Sequence, residues 1–471
     1  MRQLFYSIVI FIILTLSFFT SWHGPLIIAL ISLLLIKMLY KIGTGIVLPE
    51  VTAILYVFTC LFMPLIGYEY YSSANRLSRV WVKYMPVKPE VYFSFALPAI
   101  ACFCFALTLP FFKKNFSDEG EQLNLTINRI KHILNNRSNK GLQIMLVGVV
   151  VSLVASFLPV SLNYFATLFF FSSFAGLLYI YYSSEFKYKK LVLLLFILFI
   201  LVNALQSGMF TIVAYMGVTV FSFFQLGKKS SMLRKTVFFL LTIAFFIVLQ
   251  NVKLVYRKTT WKNDFQGNRF ELFSNLFIDN AQKGSALLSE DALFPLYSRT
   301  NQGFNVALVM RRVPAIQPYD NGDRLLTVFA SAFVPRFLWP DKPEAGGAFN
   351  MKYYAGWTIK GWSTNVGPLG EAYGSFGLQG GIIYMLLLGF FLRWVYLRIF
   401  ILSAKLPLII CWLPVLFYLS TSSAETDSLQ ILNSIFKSAF FLWLISKLLP
   451  SWFGIIKKQI IRQPAIKNMP A

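Results

Sequence analysis

Arg257, Arg269, Arg299, Arg311, Arg312, Arg324 and Arg336 fall in one polar stretch, residues 253–375, together with Lys342, Lys352 and Lys360. A guanidinium presents a planar fork of donors that matches two phosphate oxygens at once. Arginines gathered on one loop of an apolar chain point to a phosphate-bearing ligand, and at a membrane face to a lipid pyrophosphate headgroup. Arg257, Arg311, Arg312, Arg324 and Lys342 are the candidate binding cations. Tyr353, Tyr354, Trp357, Trp362 and Tyr373 suit sugar stacking and suit interfacial anchoring equally. A solvated, headgroup-binding surface competes with the site reading for each cation taken singly. Two strings mark the stretch: V-P-R-F-L-W-P-D-K-P at 334–343 and N-V-G-P-L-G-E-A-Y-G-S-F-G at 365–377.

The elements that must position this loop are membrane spans. The chain is 57% hydrophobic and 13% charged, with 49 Phe, and its mean hydropathy is +0.64. A soluble domain cannot hide that much apolar surface, which predicts an all-α polytopic membrane protein. The formal net charge of +24 does not imply nucleic acid, because the basic residues mostly flank hydrophobic runs, where they set topology and meet anionic headgroups. About twelve runs have the length and apolarity of a spanning helix: 4–21, 25–41, 50–68, 91–112, 142–158, 160–182, 190–206, 208–227, 235–252, 376–397, 405–422 and 429–449. The first is kept as a span because no small-residue cleavage site ends it and a second apolar run follows at once. The chain divides into an N-terminal bundle (1–252), the long loop (253–375), three C-terminal spans (376–449) and a basic tail (450–471).

Alternate gaps between the runs carry the Lys and Arg, among them Lys37, Lys41, Lys113, Lys114, Arg129, Lys187, Lys228, Arg234, Lys235, Arg393 and Arg398. The intervening gaps are three very short loops and the acidic turn from Glu425 to Asp427. Both termini are therefore expected in the cytoplasm. Residues 69–90 and the long loop carry positive charge yet fall on the outer side. Long loops cross regardless of charge.

The remaining inventory mainly excludes chemistry. Cys60, Cys102, Cys104 and Cys411 all lie in predicted spans, so no disulfide framework is expected in the loop. His23 and His132 fall on opposite sides of the membrane, and neither is in the long loop, which excludes His-based zinc or triad chemistry there. No P-loop or dinucleotide fingerprint appears. Sequons at Asn115, Asn124 and Asn136 are chance matches in a cytoplasmic loop. Lys437, with Asn433 one turn before it, is the main charge inside a span, and reads either as functional or as snorkelling.

Within the loop, residues 253–262 read as an interfacial exit with Trp261 as anchor. Residues 270–288 and 299–312 have helical apolar spacing. Residues 325–338 are apolar enough to lie on the bilayer until Pro335 and Pro340 stop them. Trp339 heads a rigid turn at headgroup level, and the glycines of 367–381 let backbone approach a ligand or a neighbouring helix.

The order of parts resembles the Wzy-type polymerases of O-antigen and exopolysaccharide repeat units: many spans, a large external loop late in the chain, P-R-F-L-W-P-D-K-P within it, and G-P-L-G-E-A-Y-G-S-F-G leading into a span. Residues 311–322 and 336–347 also have the Arg-x(10)-Gly spacing of some of these enzymes. One departure is Q-S-G-M-F at 206–210, where related proteins often have a Gly-Ser-Arg-like turn; Met209 supplies no charge there. The resemblance implies a GT-C-like glycosyltransferase acting on undecaprenyl-pyrophosphate-linked oligosaccharides at the periplasmic face, with membrane lipid and a chain-length regulator as further partners. The donor already carries its leaving group, so no cofactor and no metal is needed. Arg311, Arg324 and Arg336 would meet the charge that develops on the departing pyrophosphate. The acceptor hydroxyl needs a base: Glu371 is the first choice, with Asp323 and Asp341 as alternatives. Glu371 also suits a helix entrance, and Asp341 suits a turn. Asp320 and Asp323 make a weak pair for a divalent ion. Competing readings are an O-antigen ligase, which usually has a His in this loop, a flippase or transporter, and a non-enzymatic assembly partner.

Overall fold

The computed structural model describes residues 2–110, 119–135, 139–159, 162–207, 211–228, 230–262, 265–284, 286, 289–334, 338–340, 346–359, 364–418 and 423–455. Every regular element among them is helical. The first half holds α1 (Arg2–Phe19), α2 (His23–Lys41), α3 (Leu48–Val57), α4 (Met63–Glu69), α5 (Arg76–Val80), α6 (Pro89–Thr108), α7 (Glu119–Asn135), α8 (Asn139–Val154), α9 (Asn163–Tyr182), α10 (Lys189–Ser207) and α11 (Thr211–Gln225). Next come α12 (Met232–Lys262) and the loop helices α13 (Arg269–Gln282), α14 (Glu290–Thr300), α15 (Gly303–Arg312), α16 (Asp323–Phe333) and α17 (Gly347–Ala355). The C-terminal part is α18 (Gly367–Ser403), α19 (Leu413–Phe417) and α20 (Ser428–Leu448). Among the described residues, seven helices are long and apolar enough to cross a membrane, and three shorter apolar helices accompany them. Among the described residues the architecture is all-helical, with the long apolar helices of a membrane protein.

Small residues let the spans meet. A Cβ on Gly389 of α18 would lie 2.6 Å from the Phe103 carbonyl of α6, and one on Gly176 of α9 would lie 2.7 Å from the Gly141 carbonyl of α8. Gly176→Val must therefore push the α8 backbone aside. It is expected to cost about 1–3 kcal/mol, read as a lower melting temperature in detergent.

Several boundaries differ from the hydropathy reading. The helix of the ninth run does not end at 252. α12 continues to Lys262, because Lys253, Arg257 and Lys258 are good helix formers that carry a helix out of an apolar environment as readily as they end a hydropathy peak. Residues 299–312 are not one helix: α14 ends at Thr300 and α15 begins at Gly303. The eleventh run is a 3₁₀ segment, Pro407–Trp412, leading into α19. The basic gap after α6 contains α7, whose Leu123, Ile127, Ile130 and Leu134 are buried.

Lys41 and Arg393 also differ from the expected headgroup-facing role. Lys41 Nζ lies 3.1 Å from Glu50 and 3.3 Å from Glu119, and Arg393 lies 3.9 Å from Glu119. The Tyr396 hydroxyl donates to Glu119 at 2.9 Å, and Lys37 Nζ donates to the Thr108 carbonyl at 2.8 Å. This buried cluster ties α2, α3, α7 and α18 together at one end of the bundle. The opposite end of α18 lies roughly 40 Å away along the helix at 1.5 Å per residue, and the long loop packs there. Lys437 is exposed, with its ammonium 4.6 Å from the Tyr164 ring centroid.

Candidate functional site

A cleft of about 520 Å³ opens between the segment after α5, helix α14, the start of α15 and the turn before α20. Its polar lining includes Lys83, Arg299, Gln302, Asn305 and Glu425, and its apolar wall includes Trp81, Phe294 and Pro295.

A local feature of the third span builds the floor. Between α3 and α4 the helix widens to π geometry at Phe58–Phe62, where the Met63 N–H bonds back to the Phe58 carbonyl. That shift takes away the usual partner of the Thr59 carbonyl. Pro64 has no N–H, so the Cys60 carbonyl loses its partner as well. The two freed acceptors are used: Gln302 N–H donates to Thr59 at 3.0 Å, and the Tyr92 hydroxyl donates to Cys60 at 2.6 Å. Gln302 is thereby held with its side-chain amide donating to Glu425 Oε1.

Cations converge on Glu425. Arg299 lies 3.6 Å from its carboxylate, and Lys83 and Lys253 act on it electrostatically. Lys253 in turn feels Arg257 and Arg299, so the helical extension of α12 brings Lys253 and Arg257 within electrostatic reach of the cleft's Arg299. Burial lifts the Glu425 carboxyl above its ordinary value, against the opposing pull of Arg299, Gln302, Lys83 and Lys253. Burial and the Arg299 charge lower Lys83. Because its folded-state value is raised, Glu425 binds a proton more readily in the folded protein than in the unfolded chain. Its charged form therefore costs stability above that value, and the cost is relieved as pH falls through it. Glu425→Gln keeps an acceptor without the charge. It is expected to melt at or above the wild type near neutral pH, with the gap closing toward the ordinary glutamate range. A gap that widens on acidification would contradict this.

A buried relay leads from the cleft into the protein. Asn305 Nδ2 donates to Gln302 Oε1 at 3.1 Å, to Thr364 Oγ1 at 2.8 Å and to the Asn365 carbonyl at 2.9 Å. Asn365 Nδ2 donates to Asp427 at 2.8 Å, and its Oδ1 accepts from Asn350 Nδ2 at 3.2 Å. Asn350 also donates to Glu371 Oε1 at 3.1 Å, while Glu371 Oε2 accepts from the Ser428 backbone N–H at 2.9 Å. Asp427 accepts from the Gln430 backbone N–H at 2.7 Å. Two carboxylates therefore serve the N-terminus of α20, where unpaired N–H groups and the helix dipole favour negative charge. Burial raises the Asp427 carboxyl, opposed by Gln430, Asn365 and the charge of Arg324.

The sequence-chosen residues divide between these places. Glu371 is buried, with both oxygens engaged in the relay, and the helix entrance it serves is that of α20 rather than its own. Arg324 sits 3.9 Å from the Phe349 ring centroid and 5.5 Å from that of Tyr353, close enough for its charge to reach Glu371 and Asp427. Arg257 does not line the cleft but lies within electrostatic reach of Arg299, which does. Tyr373 is buried against Phe95 and Tyr319. Asp323 is exposed at the start of α16, and Arg311 is exposed at the end of α15. Arg312 donates to Gln317 at 3.2 Å. Trp339 is half-buried. Arg336, Asp341, Lys342, Lys360 and Trp362 lie outside the described residues, as does Met209. Asp320 takes a structural part, accepting from the Gly322 N–H at 2.9 Å and the Tyr354 hydroxyl at 3.1 Å. The loop around it docks where Gly377, at φ 66°, breaks α18 beside Tyr319.

Lys83, Gln302, Asn305 and Glu425 were not singled out in the sequence, and Arg299 was one arginine among many. The signals present were the acidic turn on the loop-bearing side and the Pro64 that opens the third span.

Residues 121–457 match a family described as a domain of unknown function, DUF8712. The chain belongs to this family. The DUF8712 region contains Arg299, Arg324, Glu371, Glu425 and Asp427, while Lys83 and Trp81 lie before it. No curated protein and no solved structure matches the chain.

Proposed function

We propose that this DUF8712 member is a membrane glycosyltransferase that polymerises undecaprenyl-pyrophosphate-linked oligosaccharide repeats, with the cleft as its reaction site. The observation that carries the reading is that Lys83 and Arg299 line a cleft with aromatic and amide groups and the carboxylates Asp291 and Glu425, while Lys253 and Arg257 lie within electrostatic reach of Arg299. Polyanion, sugar and base chemistry are thus available in one place. In this account twelve crossings place the cleft at the periplasmic face and both termini in the cytoplasm, in a GT-C-like arrangement.

The acceptor hydroxyl oxygen bonds to the anomeric carbon of the donor as the bond to the pyrophosphate oxygen breaks. The hydroxyl proton passes to Glu425. The leaving lipid pyrophosphate keeps the electron pair, and Arg299 and Lys83 stabilise its charge. Glu371 and Asp427 are positioning residues, because they hold the turn that carries Glu425.

Deleting the gene and resolving surface polysaccharide on a gel tests the reading. A lost polymerase leaves core plus a single repeat. Bare core with polymer stranded on carrier lipid indicates a ligase, and loss of single-unit and polymer forms together indicates a transporter. Unchanged laddering rejects the proposal.

A further inference from the structure

A different part of the molecule carries an independent assignment. Two apolar cavities, of about 590 and 260 Å³, adjoin along α11 and share Gly217 and Phe221. The larger runs between α2, α3, α11 and α12, walled by Met38, Ile54, Phe238 and Leu241. The smaller lies between α9, α10 and α11. Both open sideways, since Leu241 and Ile197 on their walls are exposed. Among the described residues, a Cβ built on Gly217 would meet nothing within 4 Å, so there is room at the point where the cavities meet.

One end of this groove is cationic. Lys235 lines the larger cavity and donates from Nζ to the Leu39 and Ile42 carbonyls at the end of α2. The Gly227 N–H donates to the Gly43 carbonyl at 3.0 Å, which sets the exposed Lys228 beside the same helix end. Arg234 is exposed on the first turn of α12. Among the described residues, none that lines either cavity is acidic.

We propose that the groove is a binding site for an anionic two-chain phospholipid, with one acyl chain in each cavity and the headgroup at Lys228, Arg234 and Lys235. Apolar volume alone would accept any lipid. The basic cluster at one end supplies the preference for a negative headgroup, and the paired cavities meeting at Phe221 suit two chains.

The test uses the purified full-length protein in a neutral detergent, with phosphatidylglycerol or phosphatidylcholine added and the melting temperature read. Phosphatidylglycerol is expected to raise it clearly more than phosphatidylcholine. Gly217→Leu places a side chain in the open space without a clash and removes a helix-interior glycine. It should melt at or above the wild type in detergent alone and lose the phosphatidylglycerol increment. The Lys228→Gln/Arg234→Gln double variant alters exposed side chains only and should bring the response down to the phosphatidylcholine level. Equal responses to the two lipids, or an undiminished phosphatidylglycerol increment in either variant, would overturn the assignment.

Discussion

Arg299→Ala is expected to lower the polymerisation rate about 100-fold, with a much smaller change in apparent affinity for the lipid-linked substrate. Arg299 lies 3.6 Å from Glu425 and lines the cleft, so in the proposed reaction its charge faces the oxygen that gains charge as the bond breaks. A preorganised group of that kind, once removed, typically costs about 10²–10³ in turnover. Lys83, Lys253 and Arg257 still attract the polyanion, which is why binding should suffer less than rate. Arg299→Lys restores the charge without the planar fork and should recover part of the loss. Single-turnover assays on the purified variants separate the two effects. An Arg299→Ala enzyme with unchanged turnover would remove Arg299 from the chemistry.

Glu371→Ala is expected to act on folding first. Its carboxylate accepts from Asn350 Nδ2 and from the Ser428 N–H, and both donors are buried. When the carboxylate is removed, the Ser428 N–H loses its acceptor and Asn350 keeps only its bond to Asn365, at about 1–3 kcal/mol for each bond lost. The variant should therefore melt well below the wild type, and loop–bundle contacts should loosen as measured by hydrogen exchange at the start of α20. Glu371→Gln offers one acceptor oxygen and one unwanted donor, so an intermediate melting temperature is expected. A Glu371→Gln protein that melts like the wild type yet is inactive would instead place Glu371 in the chemistry.

The membrane class was legible from composition, and most helices from apolar run length, because burial in lipid demands both. Helix α7 escapes the hydropathy reading, which makes its stretch a cytoplasmic loop, although the spacing of Leu123, Ile127, Ile130 and Leu134 carries the signal. Pairings between distant segments were not legible. Lys41 and Arg393 look like flanking charges until Glu119, far from both in the chain, is brought beside them, with Glu50 completing the cluster from the next helix. The cleft has the same character. Arg299 gains its partner from a turn more than a hundred positions later, and Lys253 reaches it only because α12 continues past its apolar run. Charge clustering along the sequence favoured Arg311 and Asp323, which the structure leaves exposed. Glu371 stood out by its setting between glycines. Those glycines let α18 bend at Gly377 and pack closely, and the carboxylate they surround caps another helix.

The central claim is that the cationic cleft joins lipid-linked repeats, and reconstitution measures this directly. Purified protein in liposomes is supplied with undecaprenyl-pyrophosphate-linked repeat units from its own host, and the products are resolved by length. The account predicts a ladder of lipid-linked chains longer than one repeat, formed by the wild type and strongly reduced in Arg299→Ala. Folded wild-type protein that leaves only single repeats, or a ladder that is the same with Arg299→Ala, would contradict it.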